Sequence, residues 1–355
     1  MTPSYGFACT EAGAPMKPWS FERRDLREDD VRIEITHCGV CHSDIHQARN
    51  DWGWASYPLV PGHEIVGRVA EIGSAVSGYK VGDKVGVGCM VDSCQECPSC
   101  ADGLEQYCEN GMTQTYADKD RRDGQTTYGG YSDQIIVRDK FVLRMPESID
   151  LAAAAPLLCA GITTYSPLKH AGVGKGHKLA VVGLGGLGHM GIKFGVALGA
   201  EVTLFTRSPA KEAEARALGV TNVILSTDEA QMQAAAGTFD FILDTVPVPH
   251  DLNPYISTLK RDGTHIIVGV IGPLDPPVSG VNLILGRKSV IGSLIGGIAE
   301  TQEMLDFCAE HGIACDIETI KIAEINEAFD RTVKGDVHYR FVIDMASLAE
   351  TKQAA

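Results

Sequence analysis

The feature that most limits the folds open to this chain is the hexapeptide Gly183-Leu184-Gly185-Gly186-Leu187-Gly188, together with what flanks it. Before it stands a short apolar run, Leu179-Ala180-Val181-Val182. After it a helical stretch runs to Leu198 and is closed by Gly199. Strand, glycine turn and helix in that order are the setting that gives G-x-G-x-x-G its meaning. Gly183 permits the tight turn, Gly185 lets backbone approach a pyrophosphate, and Gly188 lets helix and strand pack closely. With Gly186 and Leu187 they form a turn whose free N–H groups would meet phosphates at a helix N-terminus. The plainer alternative is an ordinary glycine-containing βα turn.

The pattern then repeats. Residues 201–205 read as a strand, 209–218 as a helix closed by Gly219, and 222–225, 239–243, 265–268 and 290–294 as further strands. Strand and helix in alternation imply a parallel sheet covered on both faces, the doubly wound layout. At the tip of the second strand an NAD-binding chain usually carries a carboxylate for the ribose 2′-hydroxyl. Here Thr206-Arg207-Ser208 and Lys211 offer hydroxyls and cations instead, which favours NADP(H). Solvated surface is the other reading of Arg207 and Lys211.

Residues 1 to about 150 are different. Val31-Arg32-Ile33-Glu34-Ile35 alternates with period two, and 65–72 and 84–87 read the same way, so a β-rich, barrel-like domain is predicted. Residues 151–155 are Ala-rich and helical. Beyond about 297 a helix (300–310) and a strand (339–343) could join either domain on sequence alone.

Eleven cysteines are many, and four crowd into fifteen residues as Cys94-x2-Cys97-x2-Cys100-x7-Cys108. Four thiolates in one short loop can close a tetrahedron around zinc with no position left open. An Fe–S cluster is the alternative on ligand count. Cys41 (GVCHSD), His63 (PGHE) and Cys159 (LLCAG) could supply two thiolates and an imidazole with a fourth position open, but spacing alone does not assemble them. Cys159 could simply be buried, and Cys38 with Cys41 could be a redox pair. The formal charge of −15 argues against a partner such as nucleic acid or an anionic membrane. No signal-peptide pattern and no apolar run of about 18 residues is visible, so the cytoplasm is the expected location.

Several motifs together resemble the zinc-containing medium-chain alcohol dehydrogenases: 39–46 (GVCHSDIH), 62–67 (GHEIVG), the four-cysteine lobe and 183–189 (GLGGLGH). Residues 57–64 (YPLVPGHE), the Thr-Arg-Ser-x-x-Lys tip and 336–341 (DVHYRF) are similar to the cinnamyl alcohol dehydrogenase branch. The resemblance implies an α/β architecture: a β-rich GroES-like catalytic domain over 1–155 and 297–355, and a Rossmann domain over 156–296. It implies two Zn2+ per chain, NADP(H), and hydride transfer between a primary alcohol and its aldehyde. Cys41, His63 and Cys159 would hold a catalytic zinc with Glu64 nearby, and Cys94, Cys97, Cys100 and Cys108 a structural one. Asp44 would orient His63, Ser43 and His46 would relay the proton, His42 would face the pyrophosphate and Thr163 the nicotinamide. It also implies a homodimer.

Trp52, Trp54 and Tyr57 could wall an apolar cleft for aromatic or allylic substrates, with medium aliphatic ones second; core packing of a loop is the equal alternative. Leu104, Leu294 and Ile295 are further candidates for that wall. The rivals are an NAD-dependent polyol or secondary alcohol dehydrogenase, a zinc-free reductase of the same fold, and a non-catalytic zinc and nucleotide protein. Cys9, Cys38, Cys89, Cys308 and Cys315 carry no assigned role, and burial is the default for each.

Overall fold

In the computed structural model, which describes residues 1–269 and 272–352, the period-two segment forms strand β1 (Asp30–Gly39). Val31, Ile33 and Ile35 point into the core while Glu34 faces out, which is what a half-buried strand requires. Helix α1 (His42–Arg49) follows, then strands β2 (Ile65–Ile72), β3 (Lys84–Val87), β4 (Gln134–Arg138) and β5 (Leu143–Arg144). The chain divides after Cys159. Met1–Cys159 and Gly296–Ala355 form one unit, and Ala160–Ile295 the other.

The second unit starts with helix α2 (Ala160–His170). It continues through β6 (Lys178–Val182), α3 (Gly188–Ala197), β7 (Glu201–Thr206), β8 (Asn222–Leu225), β9 (Phe239–Asp244), α4 (Asn253–Thr258), β10 (Leu259–Ile267) and β11 (Ser289–Gly292). Its six strands are all parallel, in the order β8-β7-β6-β9-β10-β11. The order reverses between β6 and β9, so a crevice opens at the carboxyl ends of those two strands. One core cluster joins Val182, Phe205, Ile224, Phe239, Ile242 and Leu259. Phe205 meets Phe239 edge-on at 5.3 Å.

One strand begins earlier than its sequence suggests. Residues 265–268 mark only its end, and 259–264 also lie inside β10. Asp262 takes a left-handed φ of 67°, and the pairing with β9 shifts register between Phe239 and Phe241. The left-handed residue is accommodated as a bulge, with Leu259 ahead of it buried in the core cluster.

The chain then returns to the first unit as helix α5 (Ile298–His311) and strands β12 (Ile317–Lys321) and β13 (Arg340–Asp344). The sheet there runs β12-β13-β1-β2-β3-β5, with β4 also pairing on β1. The tail strands, ambiguous in sequence, complete this sheet. Phe341, Val342 and Ile343 are all buried, so β13 shows no alternation that would have revealed its place. No single helix among the described residues is long and apolar enough to cross a membrane.

Candidate metal centre and dinucleotide turn

The end of β1 delivers the first candidate ligand. Cys41 caps helix α1, and the Asp44 carboxylate reaches back to accept the Cys41 N–H at 2.9 Å, as an acidic residue at the third helical position can. The same buried carboxylate accepts from Gly62 N–H at 3.1 Å, His63 Nδ1 at 3.1 Å and the Tyr131 hydroxyl at 3.2 Å. Asp44 therefore fixes the tautomer of His63 and leaves Nε2 to face the Cys41 sulfur. A carboxylate behind a histidine also raises its basicity as a ligand. Tyr116 stacks on the His63 ring at 5.7 Å.

Cys159 closes a 3-10 turn (Ala155–Leu158) and brings its sulfur to 3.9 Å from the Cys41 sulfur. Ligand atoms of Cys41, His63, Glu64 and Cys159 all lie within 4.8 Å of one another. Two sulfurs bound at zinc's usual ~2.3 Å in a tetrahedron would sit about 3.8 Å apart, so the observed separation fits that ion. The Cys41 thiol is held well below its ordinary range, first by the bond from Cys159 and then by His63 and Arg340, against the cost of burial. A ready thiolate is the state a metal ligand needs.

Glu64 is fully buried and paired with Arg340 at the start of β13. Burial pushes its carboxyl up to about 7, with Arg340 opposing. Its Oε2 has no hydrogen-bond partner among the described residues, while Oε1 accepts from Arg340. An unpartnered buried oxygen beside two thiols and an imidazole is a place for a cation. Sequence reasoning missed Arg340 and Tyr131. Arg340 stood inside the 336–341 motif, whereas nothing local marks Tyr131.

Helix α1 carries the neighbouring groups. His42 and Ser43 are half-buried, and His46 Nδ1 lies 2.8 Å from Asp51 Oδ2. The rings of His46, Trp52 and Trp54 step outward at 5.3 and 5.4 Å, ending in a Trp54 that is 60% exposed. Tyr57 is placed differently. Its hydroxyl donates to the Gln47 and Ala48 carbonyls at 3.2 and 3.1 Å and so anchors the end of α1. Leu104 is exposed in this unit.

The four-cysteine lobe is built from short turns. Cys97 caps a four-residue helix (Pro98–Ala101) that contains Cys100, and Cys108 ends a 3-10 turn (Glu105–Tyr107). All four sulfurs lie within 4.8 Å of one another, and those of Cys94 and Cys100 are 3.9 Å apart. Backbone N–H groups of Cys94, Cys97 and Glu109 each point at a sulfur at 3.4 Å. Hydrogen bonds of this kind favour thiolate, and the donor set again suits a closed zinc site. Of the cysteines without an assigned role, Cys9, Cys38, Cys308 and Cys315 are buried and Cys89 is partly so.

In the second unit the glycine turn sits at the carboxyl end of β6. Gly183 has φ 89°, and a Cβ on Gly188 would stand 2.1 Å from the Gly183 carbonyl. A Cβ on Gly185 would meet nothing within 4 Å, so that side of the turn is open. Gly186 and Leu187 lead from it into α3. At the tip of β7, Thr206 Oγ1 accepts the Ser208 N–H at 3.1 Å. Arg207 is exposed, and Lys211 pairs with Glu214 at 2.8 Å. Thr163 and Ile295 are buried and Leu294 is exposed in this unit.

A parallel sheet in this order, a glycine turn at its reversal point and two thiolate-rich donor sets define a class: dehydrogenases that pair a dinucleotide with zinc. Residues 27–147 match the alcohol dehydrogenase GroES-like domain, and residues 186–310 match the zinc-binding dehydrogenase model. Aldehyde reductase YahK of Escherichia coli (strain K12) is 53% identical, over 96% of this chain and 97% of that protein. A cinnamyl alcohol dehydrogenase from Sorghum bicolor superposes with a TM-score of 0.94 at 46% identity, covering 97% of this chain and 98% of the other. The CAD of Helicobacter pylori complexed with NADP(H) gives 0.90 at 42% identity, covering 97% and 99%. The chain belongs to the zinc-containing medium-chain alcohol dehydrogenase family, in its cinnamyl alcohol dehydrogenase-like branch.

Proposed function

We propose that this chain is a zinc-dependent, NADP(H)-using alcohol dehydrogenase and aldehyde reductase for primary alcohols and aldehydes, aromatic or allylic first and medium aliphatic second. The observation that carries the reading is the gathering of Cys41, His63, Glu64 and Cys159 ligand atoms within 4.8 Å. Cys41, His63 and Cys159 would hold a zinc ion, which would supply Lewis acidity toward the substrate oxygen, and a bound nicotinamide would supply or accept the hydride. Asp44 keeps the His63 ring in the ligating tautomer. Glu64 is a spare carboxylate within reach of the same centre. Ser43, two residues from Cys41, passes the hydroxyl proton toward His46, whose Nδ1 rests against Asp51. Positioned proton transfer of this kind contributes about 10²–10⁴-fold. Cys94, Cys97, Cys100 and Cys108 would hold a second zinc, which would shape their lobe.

NADP(H) is supported by the carboxylate-free tip of β7 with Arg207 exposed beside Thr206 and Ser208, and by the NADP(H) complex of the Helicobacter pylori relative. In this reading His42 faces the pyrophosphate and Thr163 the nicotinamide. The stepped rings of Trp52 and Trp54 suit a flat aromatic substrate. Cysteines gathered in two candidate metal-ligand sets suit the reducing cytoplasm. A homodimer is supported by the edge strand β11 and by Val281, Ile284 and Leu285, apolar and exposed beside it in sequence.

The test is NADPH oxidation with cinnamaldehyde, run beside NADH at equal concentration, for the native chain and Arg207→Asp. NADPH should be faster, and the substitution should cut that preference by roughly 10- to 100-fold, the worth of charge-assisted bonds to a phosphate. An equal rate with both cofactors overturns the NADP assignment. No turnover across a broad aldehyde panel overturns the reading of the metal centre.

A further inference from the structure

Asp244 ends β9 with its side chain only 1% exposed. Its Oδ2 accepts from His250 Nε2 at 2.9 Å and from His265 Nε2, in β10, at 3.0 Å. Its Oδ1 accepts the Val246 N–H at 3.2 Å. Between Asp244 and His250 runs Thr245-Val246-Pro247-Val248-Pro249, and this segment lies against the glycine turn. Thr245 Oγ1 donates to the Val182 carbonyl at 2.8 Å. A Cβ on Gly183 or Gly188 would stand 3.4 or 3.3 Å from Thr245 Oγ1. The segment therefore walls the turn at the reversal point of the sheet.

Geometry fixes the proton count of both histidines. His250 Nδ1 faces the Val248 carbonyl at 2.9 Å, and Nε2 faces a carboxylate oxygen. Both oxygens only accept, so both nitrogens must donate and the ring is an imidazolium. His265 differs: its Nδ1 is buried without a hydrogen-bond partner among the described residues, so it is the neutral tautomer donating through Nε2. A cation there would bury an unanswered donor.

The groups facing His250 come from every neighbouring element. Asp244 lies on β9, neutral His265 on β10, and Tyr255 on α4, edge-on at 5.9 Å. Asp251 lies beside it in the chain, and Arg207 bears on Tyr255 from beyond β7. Two carboxylates against one remote guanidinium favour the charged ring. The Asp244 bond holds His250 above the ordinary imidazole range, with burial opposing.

We infer that His250 is a positioning residue: its imidazolium, clasped between Asp244 and the Val248 carbonyl, pins the 245–250 segment against the glycine turn and makes dinucleotide affinity depend on pH. The inference rests on the proposal that a dinucleotide occupies that turn. Loss of one proton leaves the neutral ring donating through Nε2 to the Asp244 carboxylate, the stronger acceptor, so the Nδ1 lone pair is set against the Val248 carbonyl and that tether is released. Because the folded value is raised, the tether is complete below the free-imidazole value of ~6.5 and is lost as pH rises through the folded one.

The experiment is fluorescence titration of NADPH and NADH from pH 7 to 9.5, above the ~6 of the 2′-phosphate. It uses the full chain and the variants His250→Gln and His250→Phe. The native affinity for both dinucleotides should weaken by on the order of fivefold across the window. His250→Gln, whose amide can donate to Asp244 and does not titrate, should bind with a flat profile. His250→Phe should bind weakly and also with a flat profile. Hydrogen exchange without cofactor, corrected for intrinsic pH dependence, should show 246–251 losing protection with pH in the native chain and not in His250→Gln. The same slope in native and His250→Gln chains overturns the inference while leaving dinucleotide binding intact. Failure of the native chain to bind either dinucleotide overturns the dinucleotide reading and this inference with it.

Discussion

Gly39 shows how tightly single residues constrain the metal centre. A Cβ there would lie 1.9 Å from Glu64 Oε2 and 3.0 Å from Glu64 Cβ and Cδ. The carboxylate cannot easily swing aside, because it is fully buried and tied to Arg340. Gly39→Ala should therefore destabilise the first unit by about 1–3 kcal/mol, as overpacking does. Urea denaturation measures it, and a midpoint equal to native would mean that Glu64 moves freely. The residue scale is also where sequence was most informative. Cys41, His63 and Glu64 stood out by motif. Their assembly with Cys159, 118 residues from Cys41, came from family resemblance and not from spacing. Arg340 lies 276 residues from Glu64, and no local pattern links them.

The four-cysteine lobe depends on its ligands more than any other element does. Its helix has four residues and its 3-10 turn three, well below the length at which a helix is stable alone. Cys94, held to about 6 first by the Glu96 N–H, and Cys100, pushed up to about 12 by burial, show thiols competing for one small volume. In small zinc modules a closed site contributes roughly 10–16 kcal/mol. Stripping metal with dipicolinate should thus open residues 94–108 to Glu-C cleavage after Glu96 and Glu105 while 178–292 stays resistant. Mass spectrometry of the fragments decides it, and a lobe equally resistant with and without metal would leave its order to packing alone. At this scale most of the strands that the sequence singled out lie within two residues of their observed ends, while β4, β5 and β12 were not delimited. The strand read at 339–343 is β13, shifted by one residue, although burial on both faces hid which sheet it joins, and residues 265–268 mark only the end of β10, which begins at Leu259 and bulges at Asp262.

At the scale of the molecule, β11 is the outer strand of the six-stranded sheet, with one ladder edge unpaired among the described residues. Proteins seldom leave such an edge beside apolar side chains unless something covers it. Ile284 and Leu285 are 80% and 83% exposed, and Val281 is 63% exposed one helical turn earlier. A second copy of this chain covering that region should be weakened by Ile284→Asp. Light scattering after size exclusion should then report about half the native mass at micromolar concentration. An unchanged mass would place the subunit contact elsewhere, and a native monomer would remove the homodimer from the proposal.

The sequence by itself determined those features whose cause is local. A strand, a glycine turn and a helix follow from periodicity and φ preference within about twenty residues. The closed donor set follows from four cysteines within one loop. The absence of a carboxylate at the β7 tip is visible in a tetrapeptide. Tertiary structure alone decided what depends on distant segments arriving at one point. It set the 3.9 Å between Cys41 and Cys159, the burial that lifts Glu64, and the four donors gathered on Asp44. It also set the clasp of Asp244 by two histidines from different elements. Pairings across tens to hundreds of residues are set by packing of the whole core, and they leave no periodic trace along the chain.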